Sequence, residues 1–364
     1  MRSCRLCGFP RPVSRNLDWR SDGTIIGSSG GGPRARACFI EPAELEDVFD
    51  DLSRTMGMRL DPFLVNAQKG VGKAILENLP VRYARSLPMN SFFRPEPVVR
   101  LLAGLIAGEM AALGGGKFSI ESYSPAERAV IRVRNPVLIP RQVGNAIGVY
   151  EALEGLGSTD VEYDVEGDDL VIVLRPGEDM PGDEAEARLY LEEAKPGTGW
   201  LEYERCTECG VPLGAAELFT WDVSRGIIKN ADTGRREVVI AEQSFEAVMR
   251  ELERELGEDI TRHLYEHQKA QSRRRLEVAG AEEDEDFWED YIEELALRGL
   301  GFPESWEREP GSITIKTGST YNLDLYAAKV AAAIEAVEGS NTSIEWLERE
   351  GSKGAFVITT GAPP

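Results

Sequence analysis

Four of the five cysteines in this 364-residue chain fall in two renderings of one phrase, Cys4-Arg5-Leu6-Cys7-Gly8 and Cys206-Thr207-Glu208-Cys209-Gly210. Two thiolates at i and i+3, followed by a Gly that lets backbone N–H groups approach the sulfurs, are what a zinc knuckle requires. One knuckle supplies half of a tetrahedral site. The pair therefore predicts a single zinc bound by Cys4, Cys7, Cys206 and Cys209. Four thiolates close the coordination sphere, so such an ion stabilises the fold and leaves no open position for catalysis. The competing chemistry is a pair of redox dithiols. Thioredoxin-type C-x-x-C motifs open a helix, which lowers the thiol pKa, whereas Pro10 and Pro212 and then strand-like sequence follow here. The remaining Cys38 reads as a buried apolar thiol.

His263 and His267 are the only histidines and stand one turn apart on a predicted helix, with Glu266 beside them. That spacing can chelate a metal or move a proton. With Cys206 and Cys209 they form a second-choice mixed site, which leaves Cys4 and Cys7 without partners. The simpler reading makes them surface or half-buried helix residues. Gly27-Ser28-Ser29-Gly30-Gly31 fits G-x-S-x-G in form, yet Gly32-Pro33 cannot begin the helix a nucleophile elbow needs. Gly70-Val71-Gly72-Lys73-Ala74 lacks both the first Gly and the hydroxyl residue of a P-loop.

The elements that position the cysteines come twice. Trp19 aligns with Trp221, Ile25-Ile26 with Ile227-Ile228, Ile40 with Ile240, Leu52 with Leu252 and Gln68-Lys69 with Gln268-Lys269. Further on, Gly144 to Gly155 aligns with Ala328 to Gly339, while Cys38 faces Val238, and His263 and His267 face Phe63 and Ala67. This is a two-copy duplication rather than a solenoid. Copy one spans 1–178, with a knuckle segment to about 57 and an α/β segment from about 58. Residues 179–202 read as an acidic linker, and copy two spans 203–361, its knuckle segment ending at about 257. Within a copy, short strands lead to a helix from Pro42 that Gly57 ends. Helices near 61–79, 97–113 and 140–154 then enclose strands near 117–123 and 129–134, and alternating strands near 161–165 and 170–174 close the unit. Strands grouped with helices, without regular alternation, predict an α+β fold of two pseudo-twofold-related copies.

In that last block the chain resembles the C-terminal half of 4-vinyl reductase domains, found in hydrocarbon-binding proteins and regulators of aromatic metabolism. The resemblance rests on Gly144-x3-Gly148, Glu154-Gly155, Val161-Glu162-Tyr163 and Gly167-Asp168-Asp169-Leu170-Val171, with a fainter version in Glu338-Gly339, Ile344-Glu345-Trp346 and Gly351-x4-Phe356. It implies an α/β unit with a buried pocket for a small, mostly apolar ligand. The cysteines such domains carry in their closing hairpin are missing from both copies, so no metal or redox role transfers to that hairpin. Candidate pocket residues are Phe92, Phe93, Phe287 and Trp288, whose simpler role is core. Arg132 and Arg134 join them as alternating strand residues able to meet a carboxylate.

A formal net charge of −22 and a pI near 4.7 speak against nucleic acid and anionic membranes as partners. No apolar run is long enough to span a bilayer. No signal peptide is evident, so a cytoplasmic, reducing location is expected. The sequence therefore predicts a zinc-containing binder of a small apolar or aromatic molecule, with a sensor, carrier or accessory role, as a monomeric pseudo-dimer or a homo-oligomer. A metal- or cofactor-dependent reductase or hydrolase using His263 and His267 is the first alternative. An acidic scaffold that engages a protein partner is the second.

Overall fold

The computed structural model describes residues 3–27, 34–77, 96–178, 197, 199–257, 260–282 and 287–361. The first half runs α1 (Arg11–Asn16), β1 (Leu17–Trp19), β2 (Ile25–Gly27), β3 (Ala35–Ile40), α2 (Pro42–Met56), α3 (Asp61–Glu77), α4 (Glu96–Ala112), β4 (Lys117–Ser124), β5 (Arg128–Arg134), α5 (Ile139–Glu154), β6 (Thr159–Glu166) and β7 (Asp169–Pro176). The second half follows the same order: α6 (Leu213–Leu218), β8 (Phe219–Asp222), β9 (Ile227–Asn230), β10 (Arg236–Ala241), α7 (Glu242–Leu256), α8 (Ile260–Ala279), α9 (Phe287–Leu297), β11 (Ser305–Glu309), β12 (Ser312–Thr317), α10 (Leu323–Glu338), β13 (Thr342–Glu350) and β14 (Lys353–Thr360). Helices packed on antiparallel sheets give the mixed α+β class expected. The short helices α1 and α6, where the sequence suggested strand, span six residues each, too few for a periodicity to register.

Local chemistry sets the boundaries. Pro42 sits in the first turn of α2, where its missing N–H costs nothing, and Leu45, Val48 and Leu52 form its buried stripe. Gly57 closes the helix in the left-handed conformation, with φ of 66°.

A six-stranded sheet in the order β1-β2-β3-β10-β9-β8 runs through the middle of the molecule, and each half adds its own four-stranded sheet. At the centre β3 and β10 pair antiparallel, with Phe39 opposite Val239, Cys38 opposite Ile240 and Ile40 opposite Val238. Phe39 thus faces its own sequence counterpart, and the flanking pairs exchange places around it. This is the pattern of a self-complementary contact.

Contacts between the halves come in matched, crossed pairs. The Trp19 indole donates to the Leu297 carbonyl at the end of α9 (2.9 Å), and the Trp221 indole donates to the Ala112 carbonyl at the end of α4 (3.2 Å). The Phe39 N–H donates to Arg298 (2.8 Å), as the Val239 N–H donates to Leu113 (2.9 Å). Helices cross in the same manner. Gln68 of α3 donates to the Ser244 carbonyl of α7 (2.7 Å), and Gln268 of α8 donates to the Glu44 carboxylate of α2 (2.9 Å). Each knuckle segment therefore docks on the α/β unit of the other half.

Within each unit one buried carboxylate joins two helices. Glu151 of α5 lies 3.2 Å from Lys69 and 2.9 Å from Lys73 of α3, while Glu335 of α10 lies 3.1 Å from Lys269 and 3.4 Å from Arg273 of α8. One apolar core fills the space between the crossed helices and the second α/β unit, a second lies under the knuckles, and a third fills the first α/β unit.

Between the halves, buried Glu44 also receives Lys329 of α10 at 2.8 Å and the Ser272 hydroxyl. Burial pushes the Glu44 carboxyl up, but Lys329, Ser272 and Arg275 overcome it and hold it below the usual carboxylate range. A carboxyl with a lowered pKa in the fold contributes stability above its unfolded pKa, and that contribution is lost as the pH falls through the folded value. Replacing Lys329 by Met should therefore cost about 3–5 kcal/mol near neutral pH, because it leaves a buried charge short of its partner. The cost should shrink below about pH 4. Urea unfolding at both pH values checks this, and an equal cost at each would refute it.

Candidate functional site

Each knuckle is a tight turn built from its own backbone. The Cys4 N–H donates to the Phe9 carbonyl (2.8 Å) and the Gly8 N–H to the Cys4 carbonyl (3.1 Å). In the second knuckle Cys206 bonds Val211 (2.9 Å) and Gly210 bonds Cys206 (2.8 Å). Gly8 and Gly210 both take φ of 76°, a left-handed turn that a side chain would strain. Arg205 ties the second knuckle to the first half by donating to the Trp19 carbonyl (2.7 Å). Beneath the turns lie stacked and edge-on aromatic rings from both halves, led by Phe39 on Phe219 (4.1 Å) and Phe9 against Trp221 (4.4 Å).

The two turns bring Cys4, Cys7, Cys206 and Cys209 together, with all four sulfurs within 4.8 Å of one another. Cys4 Sγ lies 3.7 Å from Cys206 Sγ, and Cys7 Sγ 3.4 Å from Cys209 Sγ. A tetrahedral ion with metal–sulfur bonds of about 2.3 Å sets its sulfurs about 3.8 Å apart. The donor set fits a thiolate-bound metal. Burial pushes the Cys7 thiol up to about 12 and raises Cys209 as well, whereas the backbone N–H groups of Glu208 and Cys209 bring Cys206 down to about 6. A metal binds the cysteines as thiolates, so an entering cation must displace the protons that the cluster retains. Glu208, which the sequence reading passed over, accepts from the Arg5 N–H (3.1 Å) and pairs with Arg11, clamping one knuckle to the other.

A second feature lies in the first α/β unit. A cavity of about 220 Å³ opens between α4, α5 and the β4–β5 hairpin, lined chiefly by apolar side chains such as Ile106, Met110, Ile131 and Val149. Helix α5 carries it. Its Asn145, Ala146, Val149, Tyr150 and Leu153 form one helical face towards the space. Its Gly144 and Gly148 lie against the α3 backbone at Val65 and Lys69, where any Cβ would collide, so α5 sits close on α3. The second half has Ala328 and Ala332 there, and its α9 and α10 bury Trp288, Leu295, Val330 and Ile334 in the core it shares with the crossed helices.

The other sequence candidates fall as follows. Arg132 and Arg134 alternate with Ile131 and Val133 on β5 and do not line the cavity. Arg132 is engaged by Glu121, by Glu166 (3.0 Å) and by Asp169 (3.5 Å) on the outer face of the sheet. Trp288 is buried, and Phe287 stacks on Tyr291 (5.8 Å), so both are core residues of the second half. Phe92 and Phe93 lie outside the described residues. Cys38 is fully buried on β3, and burial raises its thiol. His267 shares a hydrogen bond with Thr55 of the first half (3.0 Å), and burial lowers its pKa. Among the described residues the four cysteines form the sole metal-type cluster, and neither His263 nor His267 joins it. No helix among the described residues is long and apolar enough to cross a membrane.

Comparison with family models, curated proteins and solved structures gives no match. Elemental analysis of purified protein should find one divalent ion per chain. Replacing Cys206 and Cys209 together by Ser should remove it and lower the unfolding temperature. Metal-free wild type with reversible cysteine disulfides would contradict the assignment.

Proposed function

We propose that this chain binds a small, mostly apolar molecule in the cavity of its first α/β unit, and that a zinc ion at Cys4, Cys7, Cys206 and Cys209 fastens the two halves into one body. The observation that carries the proposal is the cavity itself, about 220 Å³ of largely apolar space bounded by α4, α5 and the β4–β5 hairpin and open on one side. An engineered cavity of about 150 Å³ holds benzene. By that scale the present one takes a ligand of about nine or ten heavy atoms. The residues behind the resemblance to 4-vinyl reductase domains support this reading, because Gly144 and Gly148 are the two that seat α5 beside the cavity.

Zinc is the ion best suited to four thiolates in a closed tetrahedron, where it contributes folding energy without redox chemistry. The paired contacts between the halves support descent from a duplicated unit, arranged like a homodimer whose subunits exchanged knuckle segments before fusion. On this reading the first copy retains the binding space, and the second has given its equivalent over to core packing.

Thermal unfolding with increasing indene, indole or 1-indanone, compact bicycles of about the right size, tests the proposal. At least one should raise the melting temperature with concentration, as ligand binding to the folded state requires. Filling the space by Ala146→Leu should abolish the shift while leaving the metal content intact. A wild type indifferent to all three compounds, or a shift that survives in Ala146→Leu, would overturn it.

A further inference from the structure

Arg100, Ser119, Tyr123, Asn145 and Tyr150 interrupt the otherwise apolar lining of the cavity, and the first three have hydrogen-bond partners in the protein. Asn145 and Tyr150 are 6 % and 4 % exposed, and both face the space from α5. Among the described residues neither the amide oxygen nor the amide nitrogen of Asn145 finds a partner, and the Tyr150 hydroxyl has none either. Leaving buried polar groups unpaired is costly, so a native structure that keeps three such atoms around one space calls for a partner to meet them.

The comparison between the halves sharpens this. Lys329 stands in the second half at the place of Asn145, and Lys329 is satisfied by Glu44 (2.8 Å). The counterpart of Glu44 is Ser244 of α7, which packs against the first α/β unit and is taken up by Gln68. The ion pair thus has no equivalent beside the first α/β unit, where a neutral amide without a partner among the described residues stands in place of the lysine. Tyr150 likewise corresponds to the plain apolar Ile334. Packing alone calls for neither polar group.

We infer that the ligand is an uncharged, compact, largely apolar molecule carrying one hydrogen-bonding group, which Asn145 and Tyr150 recognise together. Asn145 supplies both a donor and an acceptor, and the Tyr150 hydroxyl can act as either. Burial pushes the phenol up to about 12, so it stays protonated and neutral at physiological pH. Arg100, the one charged side chain of the lining, is exposed and donates to the Ile120 carbonyl (3.2 Å), so it stands at the rim and leaves the interior neutral. The inference rests on the cavity being the binding site and adds which chemistry it selects.

Indole and indene are the deciding pair, because they share shape and size and differ by one N–H. Titration calorimetry on the metal-loaded full chain should show indole binding about tenfold tighter than indene, the discrimination a buried polar group gives when its partner is missing. Asn145→Leu should still bind indene and bring the ratio close to one, while Tyr150→Phe, a minimal change that keeps the ring, should reduce it in part. Equal affinity of wild type for the two, or a ratio that survives in both variants, would overturn the recognition by Asn145 and Tyr150 while leaving an apolar site in place. Failure of wild type to bind indole, indene or 1-indanone would overturn the site and this inference with it.

Discussion

Everything in this molecule hangs on the pairing of β3 with β10. Antiparallel register places Phe39 against Val239 and sends the two flanking pairs across each other, so the edge of one half is completed by the edge of the other. Neither short three-stranded segment would be stable alone, since its inner edge would expose unpaired N–H and C=O groups. Joined, they form a six-stranded sheet with an apolar core against each face. The crossing of helices follows from this junction. Chains that leave the central strands in opposite directions carry α2 towards α8 and α7 towards α3, where Glu44 meets Gln268 and Ser244 meets Gln68.

The four-cysteine cluster lies over the second apolar core, where aromatic rings of both halves meet. Each knuckle is a short turn whose cysteines are held by only a few backbone hydrogen bonds, and beyond it lies a six-residue helix. A metal bound by both turns would add a second tie between the halves beside that core. The cavity lies elsewhere, in a unit with its own separate core, and its lining includes no cysteine. In the function proposed above, fastening and binding are thus divided between two parts of the chain, so that the lining of α5 can vary without disturbing the junction.

Much of the secondary structure was legible because its signals are local. Pro42 and Gly57 bracket α2, and the alternation around Val161 and Leu170 marks the closing strands. The four cysteines could be grouped because a half-site needs a complement. What could not be read was which half docks on which, since linear separation is silent on crossing, and the contacts of Trp19 with Leu297 and Trp221 with Ala112 appear only in three dimensions. Arg132 and Arg134, candidates for meeting a ligand carboxylate, do not line the cavity. Their alternation with Ile131 and Val133 already argued for the solvent face of β5, because the apolar members of a strand turn towards the helices. Asn145 and Tyr150 look ordinary on a helix, and their signal is a contrast between the halves, with Lys329 and Ile334 as the counterparts.

The most direct measurement cuts the chain between its halves and asks whether they part. A site for a specific protease inserted in the acidic stretch between 179 and 196 allows cleavage of the folded, metal-loaded protein, followed by size-exclusion chromatography in native buffer. Two fragments eluting together at the mass of the intact chain are the expected result, because β3–β10 pairing, the crossed helices and the shared thiolate site all bridge the cut. Elution of the two halves as separate folded pieces would contradict it.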